Sequence, residues 1–247
     1  SLWAKTGVLC LIYIMKKITL LHITRDDLQL SRQYVKNLII MGFPMGFQYS
    51  ITAIGSVILQ TAVNSLGSTA VASMTAASKI SMFVVCPFDA LGSTMATYSG
   101  QNVGAGEFDR VKNGLVSASL LGSIYAVAIF VVLFFSCNYL IYMFVSPDET
   151  EVIRQAHRFL LYNAAFYVPL VFVNTVRFAI QGMGFSGFAM FAGVAEMIAR
   201  SLVGLALVPV FGFSAACFAS PLAWIFADSF LIPAFIHCLN KLKRTIS

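Results

Sequence analysis

Charge is scarce in this 247-residue sequence, and most of it is confined to short intervals. Asp, Glu, Lys and Arg make up only 11% of the residues, well below the roughly one quarter of an ordinary soluble domain, which excludes a water-soluble globule. Histidine is rarer still. The three, His22, His157 and His237, lie far apart at loops or span ends, so metal ligation or histidine-based catalysis is not expected. The five cysteines (Cys10, Cys86, Cys137, Cys217 and Cys238) are odd in number and widely spaced, which argues against a disulfide framework or a metal site. No nucleophile motif, phosphate-binding loop or paired-carboxylate constellation occurs, so no enzyme and no cofactor are expected. The net charge of +6 does not point to nucleic acid either, because the basic residues sit beside apolar runs.

Long apolar runs are what the sequence does have. Hydrophobic residues make up 59% of it, with a mean hydropathy of +0.84. The runs at 115–135, 159–180 and 203–235, the last with one break, reach the roughly 20 residues that cross a ~30 Å hydrocarbon core as helix. They are continuous rather than alternating, which selects helices over a barrel. The expected fold is an all-α polytopic bundle in the lipid bilayer, with six complete spans at 38–63, 69–99, 114–135, 159–181, 188–210 and 215–238. Residues 1–17 read as the end of a truncated transmembrane helix, since the run is short and carries Lys5. A cytoplasmic linker is expected at 18–37, the six-helix lobe at 38–240 and a cytoplasmic tail at 241–247. Polar loops are expected at 100–113 and 146–158, and a kink at Pro87, which removes a backbone donor.

Charge orients the spans. The linker, the 100–113 loop and the tail carry ten basic residues: Lys16, Lys17, Arg25, Arg32, Lys36, Arg110, Lys112, Lys241, Lys243 and Arg244. The opposite side has only Arg154 and Arg158, offset by Asp148, Glu149 and Glu151. The positive-inside bias therefore places the linker and the C-terminus in the cytoplasm of a multi-pass cell-membrane protein. Six spans, an even number, satisfy the same arrangement.

Ionisable groups inside spans each cost about 2.5–3.5 kcal/mol on insertion scales and need a reason. Lys79 and Asp89 share one span but lie on different faces. Glu196 and Arg200 are spaced i, i+4, so one helical face brings them together as an intramembrane pair. That pair either eases insertion or takes part in binding. Asp228 stands alone. Asn163, Tyr167, Asn174, Arg177 and Gln181 recur at intervals that place them on one face of a single helix, lining either a watery cavity or a polar contact between helices. Gln48, Tyr49, Thr52 and Gln60 form a weaker stripe in the first span. Gly114, Ala118, Gly122 and Ala126 make a small-residue packing face. The candidate substrate-binding or cavity-lining set is Gln48, Thr52, Asp89, Asn163, Tyr167, Asn174, Arg177 and Gln181.

Two segments carry a resemblance. The first is Gly42-Phe43-Pro44 followed by Asn64-Ser65-Leu66-Gly67-Ser68-Thr69-Ala70-Val71-Ala72. The second runs from Pro87 to Gln101-Asn102-Val103-Gly104-Ala105-Gly106. In order and spacing they resemble the multidrug and toxic compound extrusion (MATE) transporters, as do Glu196 with Arg200 and Pro221-Leu222-Ala223-Trp224. The resemblance implies twelve helices in two lobes, of which this chain is similar to the second, with an N-terminal six-helix lobe as its missing partner. It also implies an antiporter that exchanges H⁺ or Na⁺ for small organic, often cationic substrates by alternating access. Family members with coupling acids in this lobe place one eight residues after the proline and another twelve before the glycine at Gly182. Here those positions are Thr52 and Leu170. A lipid or polysaccharide-precursor flippase of the wider superfamily and an inert half-length remnant are the other readings.

Overall fold

The computed structural model describes residues 2–17 and 31–246. The chain divides into two compact units, residues 1–40 and 41–247. The first holds helix α1 (Leu2–Lys17) and the opening turns of α2 (Arg32–Asn64). The expected 18–37 linker lies outside the described residues up to residue 30; residues 32–37 are already helical.

The second unit is built from the rest of α2, α3 (Ser68–Gly104), α4 (Phe108–Tyr142), α5 (Thr150–Ala165), α6 (Tyr167–Gly182), α7 (Ser186–Leu202), a π-helical turn (Val203–Leu207), α8 (Val208–Phe211) and α9 (Phe213–Ile246). No strand occurs among the described residues. Five helical segments are long and apolar enough to cross a membrane, and six if α5 and α6 are counted as one bent span. Connections are short. The α2–α3 and α3–α4 turns each contain a glycine in the left-handed region, Gly67 at φ 100° and Gly106 at φ 75°, which lets the chain reverse within a few residues.

Helix boundaries run past the apolar runs. The expected 100–113 loop is helix except around residues 105–107, because α3 continues to Gly104 and α4 starts at Phe108. The 146–158 interval is helical from Thr150, where Glu151 in the first turn complements the helix dipole and pairs with Arg154 at 2.8 Å. Helix α9 likewise carries the expected tail to Ile246, and its Lys243 reaches Asp109 at the start of α4 (2.7 Å).

The expected continuous span at 159–181 is broken. Pro169 has no N–H to offer the carbonyl of Ala165, and its ring collides with that turn, so the helix stops at Phe166 and restarts bent by 54°. Pro87 behaves differently: α3 passes through it without interruption. Tyr125 on α4 donates its hydroxyl to the Val84 carbonyl in that disturbed turn (3.0 Å). Tyr125→Phe is therefore expected to lower stability by about 0.6 to 1.7 kcal/mol, the range for interhelical hydrogen bonds in lipid, read as a shift in denaturant midpoint in micelles.

Helix α6 is the axis of the unit. It is buried on nearly all sides and packs against α3, α4, α7 and α9. Small residues make this possible. A Cβ at Gly114 would lie 2.2 Å from the Tyr98 ring, and one at Gly122 would lie 2.5 Å from Val171, so the period-four face of α4 packs on α3 and α6. An aromatic chain, Tyr125–Phe88–Tyr167–Trp224, ties α4, α3, α6 and α9 together with centroid separations of 5.2, 5.6 and 6.1 Å.

Candidate functional site

Buried Gln48, Arg177, Gln181, Glu196 and Arg200 come together where α2, α6 and α7 meet. Two glycines bring α2 close to α7: a Cβ at Gly55 would lie 2.9 Å from Met197 Cα, and one at Gly193 would lie 3.1 Å from Gln48. On this seam Gln181 donates through Nε2 to Gln48 Oε1 at 2.7 Å. One helical turn away, Arg177 of α6 donates to Glu196 Oε1. The other carboxylate oxygen, Oε2, faces Arg200 Nη2 at 3.3 Å. One carboxylate thus bridges two guanidinium groups, all three side chains being buried. The cluster carries one positive charge in excess, and Arg177 also lies within electrostatic reach of Asp89 and Asp228.

Beside this cluster is a cavity of about 340 Å³. Ser56 and Gln60 of α2, Ser78 and Ser81 of α3, Asn163 of α5, Tyr167 of α6, Arg200 of α7 and Ser220 and Trp224 of α9 face it. Asn163 is fixed there by donating to the carbonyls of Phe159 (2.8 Å) and Cys217 (3.4 Å).

The outer surface is of two kinds. Helix α4 exposes Val116, Leu120, Leu121, Ile124, Val127, Val131, Phe134 and Phe135, a face suited to acyl chains. Helix α3 exposes Met82 and Phe83 and, beyond them, Asp89, Ser93 and Thr97 at period four, with Thr94 beside them. The hydroxyls of Ser93, Thr94 and Thr97 bond back to carbonyls four residues earlier, leaving their oxygens as acceptors on the surface. Lys79, on the same helix about three turns from its start, is exposed and lies over the Phe144 ring (5.9 Å).

The sequence-derived candidates are thus distributed over three places. Asn163 and Tyr167 face the cavity, on either side of the Phe166 break, so the five-residue stripe is not one face of one helix. Gln48, Gln181 and Arg177 make polar contacts between helices, Arg177 joining the Glu196–Arg200 pair. Thr52 is wedged at the α2–α7 seam, its Oγ1 buried and 3.3 Å from where a Gly193 Cβ would stand. Asn174 is buried on α6 outside the cavity lining, and Asp89 is on the exposed face of α3. Sequence reasoning missed Ser81 and Trp224 in the cavity and the Ser93–Thr97 continuation from Asp89. The last was readable as polar residues at every fourth position.

Comparison with known proteins agrees with this architecture. A family model described as MatE matches residues 44–210. Two Bacillus subtilis (strain 168) proteins are similar: probable multidrug resistance protein YoeA, 23% identical over 66% of this chain and 35% of its own length, and probable multidrug resistance protein YpnP, 27% identical over 55% of this chain and 30% of its own. Among solved structures, a MATE crystallised in complex with MaL6 superposes with a TM-score of 0.83 at 17% identity, covering 96% of this chain and 54% of that one. A MOP superfamily transporter from Pyrococcus furiosus, described as having a binding pocket of reverse polarity that suggests a different function, superposes with a TM-score of 0.71 at 20% identity over 79% of this chain and 43% of that one. The chain spans about half the length of these solved transporters and about a third of the curated relatives.

Proposed function

This chain belongs to the MatE family, and we propose that it forms the second six-helix lobe of a cation-coupled multidrug efflux antiporter. The observation that carries this reading is the exposed polar stripe of α3. A carboxylate at the middle of an apolar helix, facing lipid, costs about 2.5–3.5 kcal/mol, whereas facing a watery cavity it does not. The α3 face with Asp89, Ser93 and Thr97 therefore turns towards the translocation cavity and the N-terminal lobe, and the apolar face of α4 towards lipid.

Asp89 and Asp228 form no ion pair among the described residues, and Asp228 Oδ1 has no hydrogen-bond partner there. With Thr52 and Leu170 at the positions where relatives carry acids, these two are the unpaired carboxylates within this lobe's described spans that remain for H⁺ or Na⁺ and for cationic substrates. Ion binding drives transport only by favouring one cavity orientation over the other, so an exchangeable carboxylate on the cavity wall is the group required. The basic C-terminal end of α9 and the α3–α4 turn lie on the cytoplasmic side in this reading.

The test is ethidium transport by the full-length product in inverted membrane vesicles, energised in turn by a proton or a sodium gradient. Asp89→Asn is expected to lower the coupled rate at least tenfold with unchanged protein level. Unchanged transport in this variant would exclude Asp89 from the pathway. No transport by the parent under either gradient would overturn the antiporter reading itself.

A further inference from the structure

The cavity beside the charge cluster has a chemistry of its own. Arg200 Nη1 lacks an acceptor among the described residues, and the hydroxyls of Tyr167 and Ser81 have none beyond each other. Arg200 and Tyr167 are 9% and 1% exposed. The hydroxyls of Tyr167 and Ser81 adjoin each other, and a pair of hydroxyls can satisfy only one of its two protons internally. No carboxylate lines the cavity. Glu196 does not compensate the free arm of Arg200, because Arg177 holds one of its oxygens and Arg200 Nη2 the other. A guanidinium arm and two hydroxyls meet at a half-open pocket, with exposed Ser56 and Ser78 at its lining and no acceptor of matching charge.

We propose that this cavity binds an oxyanion, the carboxylate or phosphate head of a small ligand, through Arg200 Nη1 with Tyr167 and Ser81 as neutral donors. A guanidinium N–H suits such groups, since its hydrogen bond to a charged oxygen is charge-assisted. The volume, about 340 Å³, lies at the lower end of ligand pockets and fits a head group. The Trp224 ring supplies an apolar wall for the atoms that carry it. Such a site has a polarity opposite to the cation-binding role that carboxylates at residues 52 and 170 would provide. This assignment concerns binding within one lobe and does not depend on the transport reading.

Trp224 also provides the probe. Iodide, an anion, quenches indole by contact, and caesium does so as a cation. Quenching is measured on the full-length product in nanodiscs, taking the difference between the parent and Trp224→Phe to isolate this residue. The expected result is a saturable iodide component at Trp224 with no caesium counterpart. Arg200→Gln should weaken it at least tenfold. Because that change disturbs the Glu196 cluster, a second variant, Tyr167→Phe with Ser81→Ala, keeps every charge and should weaken it three- to tenfold.

Octyl phosphate and inorganic phosphate are then added as competitors, with octyltrimethylammonium as the matched cation. Relief of quenching by both phosphates identifies a free-anion site. Relief by octyl phosphate alone identifies the head group of an amphiphile. Linear or equal quenching by iodide and caesium overturns the proposal, as does parent-like quenching in both variants. Relief by neither phosphate, or by octyltrimethylammonium, overturns the oxyanion assignment. Loss of ethidium transport with these signals intact would count against the antiporter reading alone.

Discussion

Glu196→Gln is expected to destabilise the lobe by about 3–5 kcal/mol, the range for removing one partner of a buried ion pair. The reason is geometric. Glu196 is the shared counter-ion of Arg177 and Arg200, so its neutralisation leaves two buried guanidinium groups on adjacent helices with no charge between them. Native stabilities are of order 5–15 kcal/mol, so the loss takes a large share, and the variant should accumulate poorly and melt early in detergent. The triple change Glu196→Leu, Arg177→Met, Arg200→Met provides the decisive comparison. Apolar replacements of whole buried ion clusters are often neutral or stabilising, so this variant should recover most of the melting temperature. If Glu196→Gln melts with the parent, the cluster is not the buried counter-ion system described here.

How much of this was legible in the sequence differs from element to element. The apolar runs specify the spans because lipid offers no hydrogen bonds and the backbone must satisfy itself within each helix. Their ends were less legible. The turns around Gly106 and Thr150 carry polar, helix-compatible residues, and helices continue beyond the hydrocarbon-like portion until a glycine or a capping turn stops them. The break at Phe166 had a sequence signal in Pro169, yet Pro44, Pro87, Pro221 and Pro233 all sit inside helices that continue, so proline alone does not locate a break.

The site was legible within helices and not between them. Glu196 and Arg200 meet through i, i+4 spacing, which any helix imposes. Arg177 joins them, and Gln48 meets Gln181, across a helix crossing that no spacing encodes. The position of Arg200 at the wall of a cavity, with one arm paired and one arm free, is likewise a product of packing. Asp89 shows the converse. Its residue type attracted notice, but its exposure beside Ser93 and Thr97, on a helix whose neighbour α4 exposes apolar side chains from Leu120 to Phe135, comes from packing.

The tightest backbone constraint in the lobe is at Gly182, and Gly182→Ala is expected to be the most damaging single-methyl change available. Its structural role is contact. A Cβ there would stand 2.2 Å from the carbonyl oxygen of Ala96 and 3.0 Å from its Cα, so the obstacle is the backbone of α3 and no rotamer relieves it. Helices α6 and α3 must separate, along a contact that also packs Gly92 against Phe178. Overpacking typically costs about 1–3 kcal/mol and occasionally more, and a backbone obstacle places this case at or above the upper end. Gly46→Ala in α2 is the matched control: nothing lies within 4 Å of its Cβ, and alanine's better helix propensity should make it neutral or stabilising by up to about 1 kcal/mol. Because α3 also carries Asp89, Gly182→Ala should lower transport and melting temperature together, whereas Asp89→Asn should lower transport and leave melting close to the parent. If Gly182→Ala matches Gly46→Ala in melting, the close approach of α6 to α3 is absent from the folded protein.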